Sequence, residues 1–166
     1  MEFRNMRRSL QALPEAESLA ILEHGSYGVL AVLGDGGWPY AVPLNYVYHD
    51  GSVYFHCARA GHKYDAVTAD GRASFCVVAQ DEVVPEEYST NYRSAIAFGT
   101  VRELEDESEK RRAIELLALR YAPDDSAENR SAVIEREWAA LCVLELKIDH
   151  LSGKEATALA KARREK

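Results

Sequence analysis

The order of strand and turn signals constrains this chain more than any other feature. Tyr27 to Leu33 is a continuous apolar run, and Gly34-Asp35-Gly36-Gly37 after it is a strong turn signal. Extended sequence resumes over Trp38 to Tyr48, turns at His49-Asp50-Gly51 and returns over Ser52 to Cys57. Arg72 to Ala79 and Tyr92 to Leu104 are further apolar strands, the second interrupted by Gly99, and Leu141 to Ile148 alternates as a half-buried strand does. The pattern is about six strands joined mostly by hairpin turns. It lacks the strand–helix alternation of a doubly wound parallel sheet. A closed antiparallel barrel with peripheral helices fits that order, a mainly β class with added α.

Helices fall between and after the strands. Pro14 to Glu23 carries Leu13, Ala16, Leu19, Ala20 and Leu22 at helical spacing and stops at His24-Gly25. Gly61 to Ala69, Asp106 to Tyr121 and Ser131 to Trp138 read as three more. Gln80 to Asn91, polar, acidic and holding Pro85, reads as a long loop, and Pro123 to Arg130 as a second. Residues 1–155 form one domain on this reading, and 156–166 a charged, frayed tail. Pro39 and Pro43 exclude a regular central strand, because each removes a ladder donor. An edge, a bulge or a site where a ligand replaces the ladder explains them.

Composition narrows the function. With 166 residues and 47% apolar content the chain is long enough to bury one core. Lys plus Arg number 20 against 27 Asp plus Glu, a net charge of −7, which argues against sequence-independent binding to nucleic acid and to anionic membranes. The longest clean apolar run, Val29 to Leu33, is far below the ~18 residues that span a bilayer, and no signal-peptide core is visible. Cys57, Cys76 and Cys142 show no C-x-x-C spacing, so neither a disulfide framework nor a cysteine zinc site is expected, and the reducing cytoplasm is the default compartment.

The segment richest in chemistry is Tyr54 to Lys63. A strand ends, a small-residue turn follows and a helix begins, with His56, Arg59, His62 and Lys63 within eight residues. Unpaired amides at a helix start and clustered cations together suit a phosphate or another anion; a solvated turn is the bland alternative. Zinc is disfavoured, since His56 and Cys57 point to opposite strand faces and no second ligand pair exists. Around Pro43, in Val42-Pro43-Leu44-Asn45, backbone groups released from the ladder can meet a planar heteroaromatic ring, or the strand is simply an edge. Asn91 to Ala95 and Asp149 to Lys154 each place a cation beside a small hydroxyl residue at a strand end.

These segments converge on one resemblance. Tyr27-Gly28-Val29-Leu30, Pro39-Tyr40-Ala41-Val42-Pro43-Leu44, Val53-Tyr54-Phe55-His56, Gly61-His62-Lys63, Ser74-Phe75-Cys76-Val77-Val78, Tyr92-Arg93-Ser94 with Phe98-Gly99, and Ser152-Gly153-Lys154-Glu155 occur in one order. Together they resemble the flavin-binding split-barrel proteins related to pyridoxamine 5′-phosphate oxidase, and within them the nitroimidazole-resistance branch. The resemblance implies an antiparallel split β-barrel that forms homodimers with FMN in a groove between subunits. It implies that Val42, Pro43, Leu44 and Asn45 face the flavin ring, that Gly61, His62 and Lys63 hold the phosphate, that Ala58 also binds the cofactor, that Arg93 and Ser94 complete the groove from the partner subunit, and that Lys154 lies near the ring. His56 becomes the functional residue, donating a proton, positioning the acceptor or only hydrogen-bonding the cofactor. The implied activity passes electrons from a reduced nicotinamide, NADH or NADPH, through flavin to a small acceptor such as a nitroimidazole. A non-catalytic flavin- or haem-binding storage or sensing module is the alternative, and no metal site is implied.

Overall fold

The computed structural model describes residues 3–165. Its local geometry follows from the turn residues. Asp50 and Gly51 adopt φ of 48° and 76°, the left-handed pair that a two-residue hairpin needs, and they set His49 opposite Ser52. This joins β3 (Val47–His49) to β4 (Ser52–Ala58). Gly36 and Gly37, at φ of 65° and 79°, turn β1 (Tyr27–Leu33) into β2 (Pro39–Asn45) with Leu33 opposite Pro39.

Three longer strands complete the sheet: β5 (Arg72–Val84), β6 (Ser89–Glu103) and β7 (Leu141–Glu155). All neighbours pair antiparallel, in the order β2-β1-β5-β6-β7-β4-β3. The ladder does not close, which corrects the expectation of a closed barrel. β2 and β3 follow one another in the chain across Tyr46 alone, yet each forms an edge. The barrel is therefore split along that seam. Both prolines lie on the edge strand β2, on the same phase, where a missing N–H costs the ladder nothing.

The sheet still curls around one core. Leu30 and Phe75 from one half and Val53, Phe55 and Leu144 from the other are all buried in a single cluster. The Phe55 and Phe75 rings meet edge to face at 5.1 Å. Helix α1 (Glu15–His24) adds Ile21 and Leu22 to the cluster, and α2 (His62–Ala69) adds Ala66 and Val67. Outside the sheet, α3 (Glu107–Tyr121) packs over β4 and β7, where Ala113 joins Leu104 and Val143. Its start is fixed by Asp106, whose carboxylate accepts the Ser108 and Glu109 amides.

The seam is fastened from outside. The Tyr121 hydroxyl at the end of α3 accepts the Tyr46 N–H at 2.8 Å and lies 2.7 and 2.6 Å from the carbonyls of Tyr46 and Ser26. Tyr46, itself buried, donates its hydroxyl to Leu22 O at 2.7 Å.

Three segments differ from the sequence reading. The expected loop at Gln80 to Asn91 is a ribbon: β5 and β6 pair beyond a bulge near Val78, from Gln80–Arg93 to Val84–Ser89. Its residues are mostly solvated on both faces, so no apolar alternation marks it. Helix α4 (Ala127–Glu137) starts four residues before Ser131, capped by the Ser126 hydroxyl on the Asn129 amide, which shortens the expected Pro123 to Arg130 loop. The segment read as a frayed tail holds α5 (Thr157–Arg164). Arg163 donates to the fully buried carboxylate of Glu155 at 2.7 Å and to Ala12 O at 3.0 Å, and Ala160 is buried. A buried charge demands a partner, and that demand orders the segment. Lys166 lies outside the described residues. Among the described residues no helix is long and apolar enough to cross a membrane.

Candidate flavin site

β4 separates two environments. Val53 and Phe55 enter the core, while Tyr54 and His56 face the helices α3 and α4. Between sheet and helices lies a cavity of about 620 Å³, lined by Asn45, His56 and Ala58 and, across from them, by Ile114, Leu117 and Ile134. Burial, and secondarily the Lys63 ammonium, hold the His56 imidazole below its ordinary value. His56 is therefore neutral over more of the pH range than a free histidine. Tyr54 is braced by Glu145, a buried carboxylate that also takes bonds from Ser52 at 2.9 Å and Arg102 at 2.6 Å.

After β4 the chain reverses through Gly61, whose φ of 97° favours glycine, and α2 begins. The first helical bond runs from Asp65 N–H to Gly61 O, so the amides of His62, Lys63 and Tyr64 precede the intrahelical ladder. His62 is held in place: its ring stacks on Tyr40 of β2 at 4.0 Å, and its Nε2 accepts the Asp35 N–H at 3.3 Å. The ring is then the Nδ1–H tautomer, a donor at its other nitrogen. Lys63 supplies the charge at this turn, opposed by Asp65 two residues on in the helix's first turn. Arg59 is turned away, with Nε on Glu103 at 2.7 Å, so its charge is met within the chain.

β2 continues from Tyr40 past the turn. Val42 and Leu44 pack inward against the core, and Pro43 and Asn45 face out. Asn45 donates to Ser26 O at 2.9 Å. From Tyr40 to Asn45 the strand runs roughly 17 Å at ~3.4 Å per residue.

The remaining candidates lie elsewhere. Ser94 faces Lys154 across β6 and β7, and the Lys154 ammonium sits 5.6 Å from the Tyr92 ring centre. Arg93, on the opposite strand face, binds Glu155 at 3.2 Å. His56 is opposite Val143 on β7, eleven residues before Lys154. One chain thus unites Asn45, His56 and Ala58 at the cavity and Gly61, His62 and Lys63 at the turn, but not Arg93, Ser94 and Lys154 with them. Between the two groups the outer sheet face is apolar: Tyr27, Val29, Leu33 and Val78 stand exposed, Tyr27 at 64%.

Sequence reasoning missed the helical wall of the cavity and the roles of Glu103 and Tyr121. The apolar stripe of α3 was visible, but nothing local says which sheet face it covers.

The chain belongs to the pyridoxamine 5′-phosphate oxidase family, whose model matches residues 14–155. Among solved structures, it is similar to a Bacteroides thetaiotaomicron protein named for 5-nitroimidazole antibiotic resistance, at 22% identity and a TM-score of 0.72 over 87% of this chain and 86% of that one. It is also similar to a FAD-binding protein of Mesorhizobium loti, at 24% identity and a TM-score of 0.66 over 89% of this chain and 98% of that one. A FAD- and haem-binding protein of Mycobacterium smegmatis follows at 24% and 0.73, over 92% and 79%. No curated protein sequence matches.

Proposed function

We propose that this protein is a flavin-dependent oxidoreductase that works as a homodimer, with FMN laid between copies and a small molecule such as a nitroaromatic compound as electron acceptor. One observation carries the reading. The phosphate-suited turn abuts β2 at Tyr40, while Ser94 and Lys154 lie beyond an exposed apolar sheet face, so a second copy over that face is what would complete a groove. The family match and the similarity to proteins named for flavin binding and nitroimidazole resistance support it.

The residues present fit the cofactor. The Lys63 ammonium and the α2 amides suit a phosphate, and the released edge of β2 offers donors and acceptors to a ring edge. Bound flavin supplies hydride and single-electron chemistry. This chain's residues orient it and exclude water. His56, neutral near pH 7, accepts or relays a proton at its imidazole rather than repelling a cationic nicotinamide. The three free thiols suit a reducing compartment, the cytoplasm.

Purified protein should absorb near ~450 nm, release FMN on unfolding and sediment as a dimer. It should be bleached by NADH or NADPH and recoloured by a nitroaromatic acceptor. A colourless monomer that takes up no added flavin would refute the reading. A flavin that nicotinamides never reduce would move it to a storage or sensing role.

A further inference from the structure

The register of β4 against β7 sets Cys57 opposite Cys142. Gly51 and Ile148 stand on the same register line, and Ile148 donates to Gly51 O at 3.1 Å. Six residues along, the ladder returns to the same phase, so Cys57 and Cys142 occupy a hydrogen-bonded position. Their Cα atoms are then about 5.5 Å apart, inside the range that a disulfide spans. The Cβ atoms of such pairs sit nearer ~5.5 Å than the ~3.8 Å of a relaxed disulfide. Closing the bond must draw the strands together, and a strained disulfide is readily reduced.

The two thiols differ. Cys142 is fully buried, whereas Cys57, at the end of β4, is only half-buried. The Cys142 thiol facing it across the ladder, with help from Lys63, brings the Cys57 thiol down to about 7, against the opposing effects of burial and Glu103. The facing Cys57 sulfur, burial and the nearby Glu103 carboxylate hold Cys142 well above the usual thiol range. Cys76, alone on β5, is raised by burial. The arrangement pairs a half-buried thiol of lowered proton affinity with a buried thiol of raised affinity, with a carboxylate at hand.

We infer that Cys57 and Cys142 form a redox-active dithiol that a hydroperoxide oxidises reversibly to an intramolecular disulfide. The Cys57 thiolate attacks one peroxide oxygen. The O–O bond breaks, hydroxide leaves and takes up a proton as water, and Cys57 becomes a sulfenic acid. Cys142 passes its proton toward Glu103 and attacks the Cys57 sulfur. The S–O bond breaks, the leaving hydroxide takes that proton from Glu103 and departs as a second water, and the S–S bond forms. Two thiols thereby give two electrons to one peroxide. The inference does not rest on flavin binding.

The test exposes reduced protein, as purified, to hydrogen peroxide, then alkylates, unfolds and maps the peptides. The Cys57 and Cys142 peptides should emerge joined and separate again with dithiothreitol or glutathione, while Cys76 stays alkylatable. Alkylation of Cys57 at pH 7 should outpace that of Cys76 by about tenfold or more. In Cys142→Ser, oxidation should stop at a dimedone-trapped sulfenic acid on Cys57. Should that variant not fold, Cys57→Ala should leave Cys142 inert to peroxide. Cys57 and Cys142 remaining alkylatable after peroxide, a Cys57 link between two chains, or Cys76 oxidised as fast would each overturn the inference. A colourless preparation leaves the test intact, so failure here is distinguishable from failure of the flavin reading.

Discussion

Tyr121→Phe isolates the fastening of the barrel seam. The substitution keeps the ring and removes one oxygen. That oxygen accepts the Tyr46 N–H at 2.8 Å, and its single proton goes to either Tyr46 O or Ser26 O, at 2.7 and 2.6 Å. Two hydrogen bonds are therefore lost, not three, at about 1 kcal/mol each. The carbonyl of Ser26 is exposed and can turn to water, but the Tyr46 residue is 1% exposed, so its N–H retains a desolvation penalty. The sum is a destabilisation of about 1–3 kcal/mol. In a domain of this size that lowers Tm by about 3–10 °C. Urea unfolding followed by circular dichroism should show the midpoint fall with an unchanged slope. Tyr88→Phe, at a fully exposed ribbon tip, serves as the control and should shift stability by less than ~0.5 kcal/mol. Equal midpoints for the two variants would show that the seam needs no fastening and that the reasoning fails.

Other perturbations probe the remaining devices. An ideal Cβ on Gly99 would lie 1.8 Å from Lys147 O, so Gly99→Ala should cost about 3 kcal/mol or more, read from the same unfolding curves. Arg163→Ala leaves buried Glu155 with Arg93 alone and should cost about 1–3 kcal/mol, whereas loss within 0.3 kcal/mol would mean α5 docks by packing only. Lys63→Ala should weaken flavin binding roughly 10- to 100-fold by fluorescence titration, with a shallower salt dependence, if the ammonium meets the phosphate. The same variant should raise the His56 midpoint in an NMR titration without restoring it to 6.5, because burial, the larger cause, remains. Since the folded value lies below the unfolded one, the unfolded chain takes up this proton first. Stability from His56 thus grows as pH rises toward 6.5 and is lost below it.

Much of the sheet was legible because its turns demand unusual backbone. Gly36, Gly37, Asp50 and Gly51 all adopt the left-handed conformations that their sequences announce, and the flanking strands follow by registry. The prolines of β2 were legible as an edge for the same local reason. The ribbon beyond Val78 was not, because backbone pairing alone holds residues that solvent covers on both faces. Helix α5 was not, because its order depends on Glu155, a carboxylate eight residues before Arg163 that only the fold buries. The cysteine pair was hidden by separation: Cys57 and Cys142 are 85 residues apart, and no spacing motif announces an antiparallel register. For the candidate site, the turn at Gly61 to Lys63 was readable from its local composition, whereas the distance between that turn and Ser94 or Lys154 is a property of β7's full length.

Lys63 stands where these readings meet. Its charge lowers both the His56 imidazole and the Cys57 thiol, and it is the cation of the α2 turn. A dianion bound at that turn would offset the ammonium, so the proton affinity of both neighbours would rise. Cys57 would then carry less thiolate at neutral pH, and the dithiol would react more slowly with peroxide when the turn is occupied than when it is empty. Linkage requires the converse: a disulfide at Cys57 removes a negative charge beside Lys63 and should tighten anion binding at the turn. The coupling is weak if water screens Lys63 and strong if the groove is closed over it, so its size, measured with inorganic phosphate on the reduced and oxidised protein, reports how far the lysine is sequestered.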